Sequence, residues 1–185
     1  MEWSIIPLDS PGYNRSSLNK AIFNCGEKEK YRDLDRYLKQ LAWKNNEIGL
    51  AKTFVASLEE DRKRIIGYYS VSMSLIETKA LPDDIKKSLP GFPIPAMLIG
   101  KLAVDKSAQG IGVGKSLLKH AFQSAIEVSQ RVGIYAIRID AKDKESKKYY
   151  VEKRGFLQLN NTSLEIFIPM VTVKKMVQLT QESSD

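Results

Sequence analysis

The hydrophobic positions change period several times along the chain, and each change marks an element. Residues 3–8 can form a first strand, and Asp9-Ser10-Pro11-Gly12 turns it off. Over 28–45, Tyr31, Leu34, Tyr37, Leu38, Leu41 and Ala42 recur at helical spacing, which predicts one amphipathic helix stopped by Gly49. Residues 52–58 and 65–73 read as two strands, and the polar run 59–64 between them makes an antiparallel hairpin. A short helix over 83–89 ends at the stiff Pro90-Gly91-Phe92-Pro93-Ile94-Pro95. A strand over 97–104 leads to a helix over 113–129, where Val113, Leu117, Ala121 and Ala125 share one face. His120 falls with Ser116, Gln123 and Glu127 and is expected to face solvent.

Gly133 opens a strand over 134–141, rich in β-branched and apolar residues as a central strand should be. A compact helix over 144–153 carries Tyr149 and Tyr150. Strands over 156–159 and 164–169, around Asn160-Asn161, and a terminal helix over 171–179 close the chain. No internal repeat or low-complexity segment interrupts this order, and the 185 residues suit one α+β domain spanning 1–185.

Composition narrows the class. Hydrophobic residues make up 43% and charged residues 28%, the balance of a soluble globular protein. No run is long enough for a membrane span. The start, Met1-Glu2-Trp3-Ser4-Ile5, lacks the basic and apolar regions of a secretion signal, so a cytoplasmic protein is expected. Cys25 and His120 are the only residues of their kinds. Intrachain disulfides, Cys/His zinc sites and Cys-His nucleophile pairs therefore need residues that are missing, and no metal is expected. The formal net charge of +7 and pI near 9.3 suggest a polyanionic partner. Between 142 and 154, Lys142, Lys144, Lys147, Lys148, Lys153 and Arg154 outnumber Asp143, Glu145 and Glu152. The plainer reading of that run is a solvated lysine-rich face.

The chemistry centres on Gln109-Gly110-Ile111-Gly112-Val113-Gly114-Lys115, between strand and helix. Glycines let backbone approach a ligand, and unpaired amides at a helix start point at it, where the dipole also favours an anion. A phosphorylated cofactor is the expected guest. Gly110 and Gly114-Lys115-Ser116 leave three residues where a P-loop needs four, and Gly110, Gly112 and Gly114 do not space as a dinucleotide fingerprint.

The loop instead resembles motif A of the GCN5-related N-acetyltransferases (GNAT), Arg/Gln-x-x-Gly-x-Gly/Ala, with Gln109, Gly112 and Gly114 in the specified places. Leu102-Ala103-Val104-Asp105 before it, Leu117-Leu118 after it and the later Gly155-Phe156 extend the resemblance. It implies the GNAT fold: a mixed, mostly antiparallel central sheet flanked by helices, with a splayed central strand pair that binds acetyl-CoA. The amides of Gln109, Gly110, Ile111, Gly112, Val113, Gly114 and Lys115 would hold the pyrophosphate. Leu102, Ala103 and Val104 would pair with the pantetheine arm.

Other stretches resemble the toxin branch of this family, the TacT/AtaT type encoded beside a ribbon-helix-helix antitoxin. They are Phe23-Asn24-Cys25-Gly26, the strand over 52–56, Ile66-Gly67-Tyr68-Tyr69-Ser70-Val71, the segment 99–107, and Ile139-Asp140-Ala141-Lys142-Asp143 followed by Tyr150. Asn24 stands where that branch has an acid, Lys101 where it has arginine, and 27–35 is longer. Counted forward from Ala141, Tyr150 takes the place of the branch's tyrosine. Counted back from Gly155, the spacing is one residue wider and no tyrosine occupies that place. Tyr150 is the expected general acid and Tyr149 the alternative, though for Tyr149 packing between helix and sheet is the expected role.

Acetyl transfer to an amine needs a neutral nucleophile, a polarised carbonyl and a proton for the departing thiolate. A strand amide near Leu102–Val104 suits the second need and a tyrosine, with a reference pKa of about 10, the third. A lysine nucleophile at about 10.4 would need a carboxylate base, and residues 65–74 contain none, whereas an α-amine at about 7.7 to 8.0 is partly neutral already. An aminoacyl-tRNA offers such an amine on a polyanion. The toxin resemblance implies the same substrate, arrest of translation and neutralisation by the antitoxin, and it leaves room for a homodimer. Lys142, Lys144, Lys147, Lys148 and Arg154 are candidate tRNA contacts. An acetyltransferase acting on a protein or small-molecule amine is the alternative.

Overall fold

The computed structural model describes residues 2–27, 29–160 and 162–182. Their strands form a mixed seven-stranded sheet in the order β1-β2-β3-β4-β5-β7-β6: β1 Trp3–Pro7, β2 Lys52–Leu58, β3 Ile65–Ile76, β4 Ile94–Val104, β5 Ala136–Asp140, β6 Leu157–Gln158 and β7 Glu165–Pro169. The chain groups into two compact units: residues through Ser72 with Gly100–Ala121, and Met73–Ile99 with the chain from Phe122 onward.

In the first unit, β1 and β2 pair antiparallel from Trp3↔Leu58 to Pro7↔Phe54, and β2 and β3 form the expected hairpin. The hairpin register shifts between Ala56 and Ser57, where a bulge takes up one residue. A short helix that the hydrophobic pattern did not predict, α1 (Arg15–Asn19), starts at Asn14. The Asn14 side chain accepts from the Ser17 amide while Ser17 Oγ accepts from the Asn14 amide, a reciprocal cap that needs no apolar periodicity.

The single helix expected over 28–45 is divided. Lys28 lies outside the described residues; α2 covers Glu29–Arg36, a π turn Tyr37–Leu41, and α3 Ala42–Glu47. The π turn adds one residue to the cycle, so Leu34, Tyr37, Leu38 and Ala42 all reach the core while Leu41 is turned outward, 40% exposed. These residues join Phe23, Val55, Ile65, Tyr68 and Ala103 in one apolar cluster. Tyr68 sits fully buried between Phe23 and Tyr37, and its hydroxyl donates to the Leu34 carbonyl at 2.7 Å.

Helix α5 (Val113–Ser129) has the bounds its periodicity predicts, and Val113, Leu117, Ala121 and Ala125 are buried. His120 is a correction. It is only half-exposed, tilts against Phe54 and Tyr69, and its Nδ1 lies 2.7 Å from the Tyr69 hydroxyl. Position 120 is three residues beyond Leu117 and beside Ala121, at the margin of the buried face, and the aromatic pair on β2 and β3 extends the sheet surface out to it.

In the second unit β4 and β5 pair parallel from Ala96↔Ala136 to Ile99↔Ile139, β5 and β7 antiparallel, and β6 and β7 antiparallel. Strand β4 begins at Ile94, three residues before the expected start at 97 and inside the stiff proline-rich segment. Pro95 fits there because its carbonyl still accepts from the Tyr135 amide at 2.9 Å. The helix expected over 83–89 shortens to α4 (Asp83–Lys86). Helix α6 (Lys144–Arg154) is capped by Asp143, whose side chain accepts from the Ser146 amide at 2.7 Å, and ends at Gly155. Helix α7 (Met170–Glu182) closes the chain. The expected turn at Asn160-Asn161 has Asn160 Oδ1 accepting from the Ser163 amide at 2.6 Å; Asn161 lies outside the described residues. No helix among the described residues is long and apolar enough to cross a membrane.

Candidate active site

The residues singled out by sequence fall into two groups. Gln109–Lys115 and Leu102–Val104 belong to the first unit, Tyr149, Tyr150 and the basic run 142–154 to the second.

The first group is a strand, a glycine turn and a helix in direct succession. Gly110 and Gly112 have φ of 83° and 99°, values that side-chain-bearing residues avoid. A methyl group added at either would meet no protein atom within 4 Å. The face of the loop there is bare backbone open to a ligand. The amides of Val113, Gly114 and Lys115, the first residues of α5, have no carbonyl one turn earlier within the helix. This donor set suits the pyrophosphate of a CoA thioester. The Gln109 side chain is engaged within the protein: its Nε2 donates to the carbonyls of Cys25 at 3.0 Å and Val104 at 3.1 Å.

The helix is held on the sheet by close approach. A methyl on Gly67 of β3 would lie 2.9 Å from Val113 Cγ1, 3.0 Å from Leu117 Cδ1 and 3.3 Å from the Ala103 carbonyl, so the first turn of α5 sits directly on glycine backbone. The strand end is pinned by a network that sequence reading missed. Asp105, 4% exposed, accepts from the amides of Asn24 (2.9 Å) and Ser107 (3.0 Å), from the Ser107 hydroxyl and from Arg64 at 3.0 Å. Burial alone would push the Asp105 carboxyl up; the Ser107 and Asn24 donors and the Arg64 charge outweigh it and hold the carboxyl below the usual range. Asp105 ends the Leu102-Ala103-Val104-Asp105 segment of the sequence. Arg64, 41 residues earlier in the chain, carried no local signal.

In the second group the two tyrosines differ. Tyr149 is 46% exposed, and its hydroxyl accepts from Arg154 Nε at 2.9 Å. It is not packed between helix and sheet as expected. On this short helix the inward direction belongs to position 150, and Arg154 draws the ring of Tyr149 outward. Tyr150 is wedged edge-on between Tyr149 and Phe156, both ring centroids 5.5 Å away. Its hydroxyl makes no hydrogen bond to any described residue. Burial, then the neighbouring Tyr149, raise its pKa to about 12 against the opposing pull of Arg154, so the hydroxyl stays protonated across the physiological range.

The basic residues are unequal. Lys147 Nζ donates to the Ser163 carbonyl at 2.7 Å and to that of Asn160 at 3.4 Å, bracing the β6–β7 connection. Lys148 lies 3.9 Å from Glu152 one turn on, Lys144 is exposed, Lys142 is half-buried, and Arg154 serves Tyr149.

Residues 50–158, which include the hairpin, the glycine loop and both tyrosines, match the family described as "Acetyltransferase (GNAT) domain". The chain belongs to the GNAT acetyltransferase family. It is accordingly an acetyl-CoA-dependent N-acetyltransferase. Among curated relatives, a protein of Mycobacterium tuberculosis named "tRNA-acetylating toxin" is 30% identical over 129 residues, covering 70% of this chain and 73% of that one. Among solved structures, a tyrosine-to-phenylalanine mutant of KacT superposes with a TM-score of 0.84 at 26% identity, over 95% of this chain and 99% of KacT. AtaTR bound with AcCoA does so with a TM-score of 0.77 at 25% identity, over 95% and 98% of the two chains.

Proposed function

We propose that this GNAT enzyme is a toxin that acetylates the α-amine of aminoacyl-tRNA, so that the charged amino acid is lost to elongation. The observation that carries this reading is the 30% identity to the tRNA-acetylating toxin over 70% of the chain. Two features of the chain itself agree with it: no acid lies on β3 to deprotonate a lysine, and the net charge is +7.

Residues 1–185 act as one acetyltransferase domain. Acetyl-CoA supplies the acetyl group as a thioester. The amides of Gln109–Lys115 bind its pyrophosphate, Leu102–Val104 align the pantetheine arm, and a backbone amide of that strand polarises the carbonyl. The substrate amine attacks, the tetrahedral centre collapses with loss of thiolate, Tyr150 gives its proton to the sulfur, and the proton shed by the acylated nitrogen passes to solvent, from which the tyrosinate is reprotonated. Tyr150 is favoured over Tyr149 because its ring is fixed and its hydroxyl is uncommitted, whereas that of Tyr149 is held by Arg154. Lys142, Lys144, Lys147, Lys148 and Arg154 contribute positive charge toward tRNA phosphates. The same reading assigns the enzyme to the cytoplasm, where charged tRNA is found, with a ribbon-helix-helix antitoxin as partner and a homodimer as the assembly.

A cell-free translation reaction tests the function. Purified enzyme with acetyl-CoA is expected to stop protein synthesis, and Tyr150→Phe or omission of acetyl-CoA to restore it. Undiminished synthesis with active enzyme would remove the toxin reading.

A further inference from the structure

Arg154 is the last residue of α6, and its guanidinium goes to an aromatic ring instead of a carboxylate. Its Nε donates to the Tyr149 hydroxyl at 2.9 Å, Nη2 donates to the same oxygen, and the guanidinium carbon stands 5.0 Å from the centre of the Tyr149 ring. Among the described residues no acid pairs with it, whereas Lys148 on the same helix lies 3.9 Å from Glu152. Half-buried over an aromatic face, at the negative end of the helix dipole, the cation is held in place without being neutralised.

The ring that holds it touches Tyr150. Tyr149 meets Tyr150 edge-on with centroids 5.5 Å apart, and Phe156 does the same from the other side. The turn at Gly155, with φ of 73°, brings Phe156 back into that position: the amides of Gly155 and Phe156 both donate to the Tyr150 carbonyl, the second at 3.3 Å. Positions 150 and 154 are one helical turn apart and share a face of α6. Among the described residues, the titratable groups that act on the Tyr150 hydroxyl are Tyr149 and Arg154. Burial and then Tyr149 push its pKa up, and Arg154 opposes them.

In the transfer step the O–H bond of Tyr150 breaks and an S–H bond forms, so the charge of the departing thiolate is exchanged for a phenolate between two rings. Nothing is oxidised or reduced, and the phenolate lasts until solvent reprotonates it. Forming that anion in poorly solvated surroundings is the costly part of using this tyrosine as an acid, and a fixed cation lowers the cost. We propose that Arg154, seated on Tyr149, is a positioning residue for acetyl transfer that acts through Tyr150: its charge steadies the phenolate left when the proton has gone to the sulfur. The proposal rests on the reading of Tyr150 as the acid, and it gives Arg154 a role in turnover apart from its charge toward tRNA.

The test uses the full-length enzyme with Arg154→Gln, Arg154→Met and Arg154→Lys, each with and without Tyr150→Phe. Glutamine and methionine discharge the position, whereas lysine keeps the charge and loses the planar fork. Two quantities are read. One is kcat at saturating acetyl-CoA and bulk aminoacyl-tRNA. The other is the ionisation midpoint at position 150, followed by fluorine NMR, without any acceptor, in enzyme carrying there a fluorinated tyrosine more acidic than the natural residue. Glutamine and methionine are each expected to lower kcat by about tenfold and to move the midpoint up, and lysine to recover most of both. With Tyr150→Phe in place, discharging Arg154 should change kcat by less than about twofold, because the phenolate it serves never forms. Acceptor KM is not a criterion, since the lost charge also weakens attraction to phosphates. Should the glutamine variant not fold, the methionine variant carries the test.

An unmoved midpoint, or a loss of kcat equal with and without Tyr150→Phe, would overturn the proposal and leave Tyr150 as the acid. Full turnover in Tyr150→Phe alone would remove Tyr150 as the acid, and the proposal with it. If wild-type enzyme leaves aminoacyl-tRNA unmodified, the substrate reading fails on its own account, and the midpoint alone decides the role of Arg154.

Discussion

Tyr149 and Tyr150 are neighbours on α6 with opposite surroundings, and the difference can be measured. Tyr150→Phe keeps the ring between Tyr149 and Phe156 and deletes only the hydroxyl, so acetyl-CoA affinity should hold while turnover falls by about 10² to 10⁴. Tyr149→Phe removes an exposed acceptor of Arg154 and should cost less than about threefold in turnover. Kinetics of the two variants under one set of conditions check this; a larger defect at Tyr149 would reverse the assignment. The pKa of about 12 at Tyr150 gives a second expectation. A group raised that far stays protonated through the alkaline range, so kcat/KM should rise with pH as the substrate α-amine deprotonates near about 8 and stay level to about pH 10. A fall in rate between those values would show that Tyr150 is not the acid.

Asp105 makes a residue-scale prediction about stability. Its carboxyl is held below the usual range when folded, so it stabilises the fold above the unfolded pKa of about 3.9, and that contribution disappears as pH falls through the lower folded value. Asp105→Asn should lower stability by about 1–3 kcal/mol near neutral pH. The gap to wild type should close on acidification below about pH 4. Urea denaturation at several pH values measures it, and a gap independent of pH would mean that the charge is not what matters.

At the scale of elements, the seating of α5 on β3 depends on the absence of a side chain at Gly67. Gly67→Ala places a methyl within 3.0 Å of Val113 and Leu117, and the packed helix start must shift to admit it. We expect a loss of about 1–3 kcal/mol in thermal or urea denaturation, with weakened acetyl-CoA binding because the loop amides move with the helix. Full stability in the alanine variant would show that the packing there is slack.

The glycine loop was legible because its chemistry is local: strand, turn and helix follow one another, and positive φ at Gly110 and Gly112 is what such a sequence provides for. The β2–β3 hairpin and α5 were legible because a single period runs through each. Local pattern failed where tertiary packing decides. The π turn at Tyr37–Leu41 answers to packing around Tyr68, the cap at Asn14 has no apolar signature, and His120 on α5 tilts against Phe54 of β2 and Tyr69 of β3. The Asp105–Arg64 pair joins residues too far apart for any spacing to reveal.

For the whole molecule, a net charge of +7 has a consequence beyond solubility. If the partner is tRNA, binding should weaken steeply with salt. Replacing Lys142, Lys144 and Lys148 by alanine should then lower the slope of log affinity against log salt by about one for each phosphate that is no longer neutralised. Lys147 is the least suitable member of that set to test, because its removal also frees the Ser163 carbonyl. The identity of the acceptor is tested directly by where the acetyl group goes. Enzyme is incubated with acetyl-CoA labelled in the acetyl group and offered aminoacyl-tRNA, deacylated tRNA and a lysine-rich protein. The esterified amino acid is then released by mild alkali and identified by mass. Label is expected on charged tRNA alone, recovered as an N-acetylated amino acid; label on the lysine-rich protein, with charged tRNA untouched, would rule out an aminoacyl-tRNA acceptor.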